Sequence, residues 1–309
     1  MTARRLPDWL RRGLAAGQEA TRTDALIKEF GLHTICESGR CPNRNECYSQ
    51  KTATFMVMGD ICTRSCQFCS VSTGRPETLD SDEPRRVADA AKILDLQHVV
   101  VTSVNRDDLE DEGAVHFARV IHELKARSPG MIVEILTPDF RRTQKRAVQT
   151  ILCEGPDIFN HNVETVPGLY RRVRPQGDYE RSLEIFREIH RQNRAVLTKS
   201  GLMLGLGEGR EEVLNVLRDL REAGCEILTL GQYLQSSALG LPVEEYIHPE
   251  IFLEYKNRAL EMGFLWVESA PFVRSSFHAK ESFEALKARL SARQIRIMER
   301  NESCKKQTV

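Results

Sequence analysis

The sequence predicts an α/β protein whose core is a partial (β/α)6 TIM-like barrel with N- and C-terminal extensions. Short runs rich in β-branched and apolar residues alternate with longer amphipathic helical patterns over most of the 309 residues. Strands alternating with helices of this length form right-handed βαβ units and a parallel sheet. Six such units are fewer than the eight that close a full barrel, so we expect an open barrel with its active site at the carboxyl ends of the strands. A doubly wound sheet is the structural alternative, because the alternation is compatible with both.

The elements follow one another in a regular order along the chain. Six runs are predicted to be strands: 52–58, 98–103, 131–136, 157–161, 196–204 and 227–233. Five helical patterns with charged outer faces lie between them, at 85–94, 114–127, 142–152, 179–192 and 211–223. A seventh apolar run at 264–270 leads to a helix expected at about 280–300. These elements divide the chain into an N-terminal extension (1–50), the barrel (51–265) and a C-terminal extension (266–309).

Composition excludes several classes of partner. The chain has 44 basic and 44 acidic residues, so no net charge attracts nucleic acid or an anionic membrane. No apolar run approaches the roughly 20 residues that span a bilayer. The start is rich in arginine, as transit peptides are, but Asp8 interrupts it, and it lacks the apolar stretch of a signal peptide. We therefore expect a cytoplasmic protein.

Six of the nine cysteines lie in two triplets with different spacing. They read Cys36-x4-Cys41-x5-Cys47 and Cys62-x3-Cys66-x2-Cys69. Structural zinc sites use four ligands, whereas three thiolates on a four-iron cluster leave one iron open for a substrate, a cofactor or another protein ligand. The triplets therefore predict two iron–sulfur sites, with zinc as the main alternative. A disulfide framework would need an oxidising compartment. We expect Cys153 and Cys225 to be buried, and Cys304 to be exposed in the polar tail.

The second triplet carries a specific resemblance. It reads Cys-Thr-Arg-Ser-Cys-Gln-Phe-Cys and follows the first predicted strand. Three cysteines spaced in this way, with an aromatic residue before the last, resemble the radical S-adenosylmethionine (SAM) superfamily, whose members share a partial (β/α)6 barrel. The resemblance implies that Cys62, Cys66 and Cys69 hold a [4Fe–4S] cluster whose open iron binds SAM. An electron from the cluster then cleaves SAM to methionine and a 5′-deoxyadenosyl radical, chemistry that side chains alone do not supply.

Further segments narrow the resemblance to one family. Over about residues 6–280 the chain is similar to the lipoyl synthase family, with the C-x4-C-x5-C spacing as the discriminating feature. The matching segments are CPNRNECY (41–48), VTSVNRDDL (101–109), TPDF (137–140), FNHNVETV (159–166), LYRRVRP (169–175), TKSGLMLGLGE (198–208), LGQYLQ (230–235) and RSSFHA (274–279). The chain departs from the pattern at Asn105, where we expect aspartate, at Glu112, where we expect glycine, and at Thr143, where we expect an acidic residue. None of these changes removes a ligand.

The family resemblance implies roles for the first triplet. Cys36, Cys41 and Cys47 would hold an auxiliary [4Fe–4S] cluster whose fourth ligand is Ser276 in the C-terminal extension. This cluster would be consumed as the donor of two sulfur atoms. An alkoxide is a weaker partner for cluster iron than a thiolate, so a serine ligand suits release. Sequence alone favours a helix N-cap or a loop hydroxyl for Ser276, and only the resemblance makes it a ligand.

The same resemblance implies a substrate and partners. Sulfur would be inserted at C6 and C8 of an octanoyl group on a lysine of a lipoyl-carrier domain, either an E2 subunit of a 2-oxoacid dehydrogenase or the glycine cleavage H protein. A low-potential electron donor and an iron–sulfur carrier that rebuilds the auxiliary cluster complete the set of partners. A tRNA methylthiotransferase is the enzymatic alternative, but the chain lacks the length and positive charge of an added RNA-binding domain. An electron carrier or a zinc-stabilised binding module is the non-catalytic alternative.

Polar residues at the predicted strand ends are candidates for SAM contacts. They are Thr102, Ser103, Asn162, Glu164, Lys199 and Ser200. Their alternative roles are strand-end capping and salt bridges. We expect the arginines at 141, 142, 171, 172 and 174 to form mainly a solvated face, and His161 to be a hydrogen-bonding residue and not a metal ligand.

Overall fold

The structure is a computed structural model that describes residues 6–11, 18–49, 53–192, 195–237 and 239–276, together with Leu286. The strands in these residues are β1 His33–Thr34, β2 Thr54–Val57, β3 Ile61–Cys62, β4 Ser72–Thr73, β5 His98–Ser103, β6 Ile132–Leu136, β7 Ile158–Asn160, β8 Leu197–Leu204, β9 Ile227–Gln232 and β10 Trp266–Ser269. The α-helices are α1 Gln18–Glu29, α2 Ile35–Ser38, α3 Arg44–Ser49, α4 Glu83–Ile93, α5 Ala114–Arg127, α6 Gln144–Cys153, α7 Tyr170–Val173, α8 Tyr179–Gln192, α9 Arg210–Glu222 and α10 Pro249–Glu261. No helix in these ranges is long and apolar enough to cross a membrane.

One large sheet organises the molecule. Its strand order is β1-β2-β5-β6-β7-β8-β9-β10. β1 pairs antiparallel with β2, and each later neighbouring pair is parallel. From β2 onward the spatial order equals the chain order, with no reversal. A doubly wound sheet reverses its order at a switch point. The observed order therefore excludes that alternative and confirms the predicted partial barrel.

The predicted elements correspond closely to the observed ones. The six predicted strands contain β2 and β5 to β9, and α5 and α8 have the predicted bounds. α4, α6 and α9 begin or end within two residues of the prediction, and α10 is an additional helix. Neighbouring helices α4, α5, α6 and α8 pack against one another in a layer outside the sheet. In α8, Leu183, Phe186 and Ile189 recur at helical spacing and are buried.

The N-terminal extension lies against the first barrel strand. α1 packs on α3, while α2 contacts both β1 and β2. Thr34 caps α2, because its side chain accepts a hydrogen bond from the Glu37 N–H. Since α2 and α3 contain Cys36 and Cys47, this packing holds the first triplet beside β2.

The C-terminal segment continues the sheet. β10 pairs with β9 as a seventh parallel strand, and residues 271–276 then turn back over the strand ends. The helix expected at about 280–300 lies outside the described residues except at Leu286, which is buried. Cys304 is also outside them. Cys225 is buried as predicted, but the prediction for Cys153 was wrong: it is exposed, because it is the last residue of α6.

Candidate active site

A cavity of about 2290 Å³ opens at the carboxyl ends of the barrel strands. All three cysteines of the second triplet line it, as do Cys36 and Cys41 of the first. Its walls also include the ends of β5 and β9 and the residues that follow β6 and β7. The two predicted cysteine sites therefore face one shared space at the edge where barrel enzymes carry their chemistry.

Main-chain N–H groups surround the sulfur of Cys62. The Sγ atom accepts hydrogen bonds from the Arg64 N–H at 3.4 Å and the Asn105 N–H at 3.3 Å. The Asn105 side-chain amide adds a third donor at 3.7 Å. An aspartate at this position, as the family resemblance led us to expect, has no side-chain N–H to donate. N–H donors favour a thiolate, the form in which cysteine binds metal.

A buried charge network fixes the loop that carries the second triplet. Arg64 binds Asp107 through two hydrogen bonds of 2.7 and 2.6 Å and Asp139 through a third of 2.6 Å. Arg181 also binds Asp139, at 2.8 Å. Burial raises the pKa of the Asp139 carboxyl, but the charges of Arg64 and Arg181 outweigh it and lower that pKa to about 2. The loop is thereby tied to the ends of β5 and β6 through ions that remain charged at neutral pH.

The first triplet encloses a smaller cavity of about 20 Å³. Its lining residues are Cys36, Cys41, Asn43, Cys47, Ala53, Thr54, Arg274 and Ser276. Burial raises the pKa of the Cys36 thiol to about 11, although hydrogen bonds from Thr54 oppose this. Binding of a metal at this cavity would therefore displace a proton from Cys36, which would couple binding to pH.

Four contacts bring Ser276 to this cavity from the far end of the chain. The Gln232 N–H donates to the Pro271 carbonyl at 3.1 Å, and the Asn43 amide donates to the Phe272 carbonyl at 2.7 Å. The Asn162 amide donates to Ser275 Oγ at 2.6 Å, and Thr54 Oγ1 lies 2.8 Å from Ser276 Oγ.

Gly231 permits the close approach of this segment. A Cβ atom at Gly231 would lie 2.1 Å from the Val273 carbonyl oxygen. Since that oxygen belongs to the backbone, only a residue without Cβ lets the segment lie directly on β9.

The donor set fits iron–sulfur clusters better than the alternatives. The eight cysteines in the described ranges are all free thiols, so no disulfide framework forms among them. Within the same ranges, no three His, Cys, Asp or Glu side chains converge closely enough to hold a single metal ion, as zinc would require. A cluster with four irons instead needs thiolates distributed around a cavity. The two triplets provide that arrangement.

Four of the six candidate SAM residues line the large cavity: Thr102, Ser103, Asn162 and Glu164. Ser103 Oγ and Asn162 Oδ1 are buried without a hydrogen-bond partner. A bound polar ligand would satisfy such atoms, which are costly to leave unpaired. Thr102 Oγ1 instead donates to the Leu136 carbonyl at 3.0 Å. Burial raises the pKa of the Glu164 carboxyl, while the charge of Arg174 opposes it.

The other two candidates are engaged inside the barrel. Lys199 Nζ binds both oxygens of Glu134, at 2.9 and 3.2 Å, and both side chains are almost fully buried. Ser200 Oγ donates to the His161 carbonyl at 2.9 Å. Neither residue lines the cavity. The polar groups of Lys199 and Ser200, which we expected to contact SAM, are therefore hydrogen-bonded to the Glu134 carboxylate and the His161 carbonyl instead.

Arg174 is a cavity residue that the sequence interpretation missed. The other four arginines of the predicted solvated face are exposed, but Arg174 is buried and lines the cavity. Its Nη1 donates to the Asn162 carbonyl at 2.9 Å, its guanidinium lies over the Tyr170 ring, and its Nε is buried without a partner. The expectation was wrong for this arginine because only packing against Tyr170 distinguishes it from its neighbours.

His161 is a hydrogen-bonding residue, as expected. Its Nδ1 lies 2.8 Å from the Thr137 carbonyl, which only accepts, so Nδ1 carries the proton and Nε2 is an acceptor. Burial and the nearby charge of Arg174 lower the pKa of His161 to about 4. The ring is therefore neutral at physiological pH, and it presents an unpartnered Nε2 at the cavity wall.

Two departures from the family pattern contact each other. Glu112 stands where we expect glycine and has a left-handed backbone with φ of 53°. Its buried Oε2 accepts hydrogen bonds from the Thr143 N–H at 3.0 Å and the Thr143 hydroxyl at 2.8 Å. An acidic residue at 143 would place a second carboxylate there. The two departures therefore compensate for each other.

Comparisons with known proteins agree with this geometry. Residues 56–220 match the family model described as the radical SAM superfamily. The chain is 51% identical over 276 residues to a lipoyl synthase of Caldicellulosiruptor saccharolyticus, covering 89% of this chain and 96% of that protein. It is 53% identical over 277 residues to a lipoyl synthase of Methylococcus capsulatus, covering 90% and 86%. In fold it resembles the crystal structure of methylornithine synthase, with a TM-score of 0.54 and 15% identity over 80% of this chain and 82% of that one.

The partial barrel and the matched superfamily model together define the class. The chain is a radical SAM enzyme, a class that uses SAM and a [4Fe–4S] cluster. The identity of about half of all residues over nine-tenths of the chain defines the family more narrowly. The chain belongs to the lipoyl synthase family.

Proposed function

We propose that this enzyme inserts one sulfur atom at C6 and one at C8 of an octanoyl group carried on a lysine of a lipoyl-carrier domain. One structural observation supports the proposal in addition to family membership. Residues from opposite ends of the chain, the first triplet and Ser276, line one small cavity beside a large cavity lined by the second triplet. A sulfur source and a radical source would thus face the same substrate space.

In this proposal Cys62, Cys66 and Cys69 hold the [4Fe–4S] cluster that binds SAM, and the first triplet with Ser276 holds an auxiliary [4Fe–4S] cluster. When bound, these groups supply a radical that removes hydrogen from unactivated carbon and the two sulfur atoms that replace it. In this proposal the three parts of the chain have separate roles. Residues 1–50 supply the thiolates of the auxiliary site, residues 51–265 form the barrel, and residues 266–309 supply the serine.

The chain's own residues position the reactants. Arg64 and its two aspartate partners fix the loop of the second triplet, and Asn105 donates hydrogen bonds to the Cys62 sulfur. Ser103 and Asn162 offer unpaired polar atoms to SAM, and Arg174 offers an unpaired N–H. Thr102 and Glu164 complete this proposed SAM site, whereas Lys199 and Ser200 are not part of it.

The apolar part of the cavity suits an alkyl chain. Met56, Val100, Leu136 and Leu202 line it. Apolar walls favour the eight-carbon chain over water through the hydrophobic effect, and exclusion of water protects a reactive radical from side reactions.

The proposed partners follow from the lipoyl synthase relatives. The carriers would be E2 subunits of 2-oxoacid dehydrogenases and the glycine cleavage H protein. A low-potential electron donor would reduce the second-triplet cluster, and an iron–sulfur carrier would rebuild the auxiliary one. The balanced charge gives no support for a nucleic-acid or membrane partner. We place the enzyme in the cytoplasm, where reduced thiols persist.

The test is anaerobic reconstitution followed by turnover with SAM and an octanoyl-lysine peptide. The wild-type chain should hold about eight irons and eight sulfides and form 5′-deoxyadenosine and lipoyl peptide. Cys66→Ala should lose SAM cleavage but keep the iron of the first triplet, and Cys41→Ala should cleave SAM without inserting sulfur. Cys153→Ala removes an exposed thiol outside both triplets and serves as the matched control.

Two results would contradict the proposal. One is wild-type protein that binds iron for a single cluster. The other is the absence of 5′-deoxyadenosine when the octanoyl peptide is present. Ser276→Cys tests the release of the serine: an equal turnover rate would show that a labile oxygen ligand is unnecessary.

A further inference from the structure

Thr54 connects the two chemically different ligands of the auxiliary site. It is the first residue of β2, is 2% exposed, and lines both the small and the large cavity. Its Oγ1 lies 2.8 Å from Ser276 Oγ, across 222 positions of sequence. Cys36 of the first triplet lines the same two cavities.

A threonine hydroxyl has one proton to donate. Cys36 as a thiolate and Ser276 as an alkoxide would both be acceptors only, so they compete for this proton. The alkoxide is the more basic of the two, and charge-assisted hydrogen bonds are the stronger kind. The hydroxyl of Thr54 would therefore point to Ser276 whenever the serine binds iron.

The hydrogen bond between Thr54 and Ser276 is important for the position of the serine side chain, because the neighbouring contacts hold other residues. The other contacts of the segment that we have described hold Pro271, Phe272 and Ser275. The Thr54 contact, by comparison, holds the Ser276 hydroxyl itself. Without it the serine side chain could rotate among its staggered rotamers, and its oxygen would leave the cavity that the three thiols line.

We propose that Thr54 is a positioning residue that holds Ser276 on the auxiliary cluster and so sets how readily the serine leaves it. This inference rests on the proposed assignment of Ser276 as a ligand. The outer partners of metal ligands orient them and tune their affinity in this way. The strand position is suited to the task, because β2 is paired on both sides and cannot shift independently.

The test uses the full chain with both clusters reconstituted under anaerobic conditions. Thr54→Val removes the hydroxyl but keeps the β-branched shape, and Thr54→Ser keeps the hydroxyl. The matched control is Thr198→Val, because Thr198 is also a fully buried strand threonine but donates to the Gly224 carbonyl at 2.8 Å, away from both cavities. The measurement is the rate at which bathophenanthroline removes iron, together with the EPR spectrum of each cluster.

We expect Thr54→Val to release iron from the auxiliary cluster about fivefold faster than wild type, which corresponds to a hydrogen bond worth about 1 kcal/mol. Thr54→Ser should restore the wild-type rate, and Thr198→Val should not change it. SAM binding to the other cluster, measured by the change in its EPR spectrum, should be the same in all variants.

Ser276→Ala tests the assignment of Ser276 as a ligand separately from the role of Thr54. If it does not alter iron release, the serine is not a ligand, and both the assignment and the role of Thr54 are wrong. If Ser276→Ala speeds release but Thr54→Val does not, the ligand assignment holds and the role of Thr54 alone is refuted. Faster release in Thr198→Val would also refute it, because any lost buried hydroxyl would then have the same effect.

Discussion

Replacing Gly231 by alanine should displace the segment that carries Ser276. The added Cβ would lie 2.1 Å from the Val273 carbonyl oxygen and 3.0 Å from its carbon. Non-bonded heavy atoms prefer separations of about 3.5 Å, so the segment must move by about 1 Å. Overpacking of this kind costs about 1–3 kcal/mol of folding free energy, which the barrel should tolerate. The main effect should therefore be on the position of the serine.

A shift of this size is large for a reacting group. A displacement of about 1 Å can lower a rate about 100-fold. We expect Gly231→Ala to cleave SAM at a rate close to that of wild type but to form lipoyl product about 100-fold more slowly. The assay is the ratio of 5′-deoxyadenosine to lipoyl peptide, measured by mass spectrometry, with urea unfolding to confirm that the variant is folded.

Gly209→Ala is the matched control. The nearest atom to a Cβ at Gly209 is the Glu212 carboxylate oxygen at 3.3 Å, the end of a flexible side chain. Its product ratio should equal that of wild type. If Gly231→Ala also kept the wild-type ratio, the contact between β9 and Val273 would not determine where Ser276 lies, and our account of the auxiliary site would be wrong.

Two further predictions concern stability. Thr143→Asp should lower the free energy of unfolding by about 1–3 kcal/mol, because it removes the hydroxyl hydrogen bond to the buried Glu112 carboxylate and adds a like charge beside it, while the main-chain N–H of residue 143 can still donate. In a Glu112→Gly background the loss should be at least about 1 kcal/mol smaller in urea unfolding, and additive effects would disprove the coupling. For His161, whose folded pKa of about 4 lies below the unfolded value of 6.5, the unfolded state binds the proton first as pH falls. The contribution of His161 to the free energy of unfolding should therefore be constant above about pH 6.5 and fall between about pH 6.5 and pH 4. This part of the pH dependence should be missing in His161→Gln, and its persistence there would assign it to another group.

Many of the residues that line the candidate site could be predicted, because residue type and spacing are local properties of the sequence. The spacing within each triplet is fixed by the chain itself, and the alternation of strands and helices placed the second triplet at the carboxyl end of the first barrel strand. Four of the six polar residues chosen from strand ends do line the cavity. In each case the evidence lies within a few residues of sequence.

Lys199 and Arg174 show that sequence patterns do not fix where a side chain lies. Lys199 was expected at the cavity but does not line it, whereas Arg174 was expected on a solvated face but does. Both are charged residues near strand ends or in charged motifs. Lys199 turns to Glu134, 65 positions away, because a buried ammonium needs a buried partner. Arg174 packs with its guanidinium over the Tyr170 ring and lines the cavity. The direction in which a side chain points depends on packing that no short pattern encodes.

The sequence by itself determined the class of fold, the two sets of thiols and the resemblance to the lipoyl synthase family, because periodicity and spacing are properties of the chain. The resemblance indicated Ser276 as the oxygen for the first triplet, and only the tertiary structure shows what brings that serine to the cavity that the three thiols line. Ser276 reaches Thr54 because β9 has no Cβ at Gly231 and because Asn43 and Asn162 bind the segment between them. The three hydrogen bonds join residues more than a hundred positions apart, and they exist only when the barrel has folded.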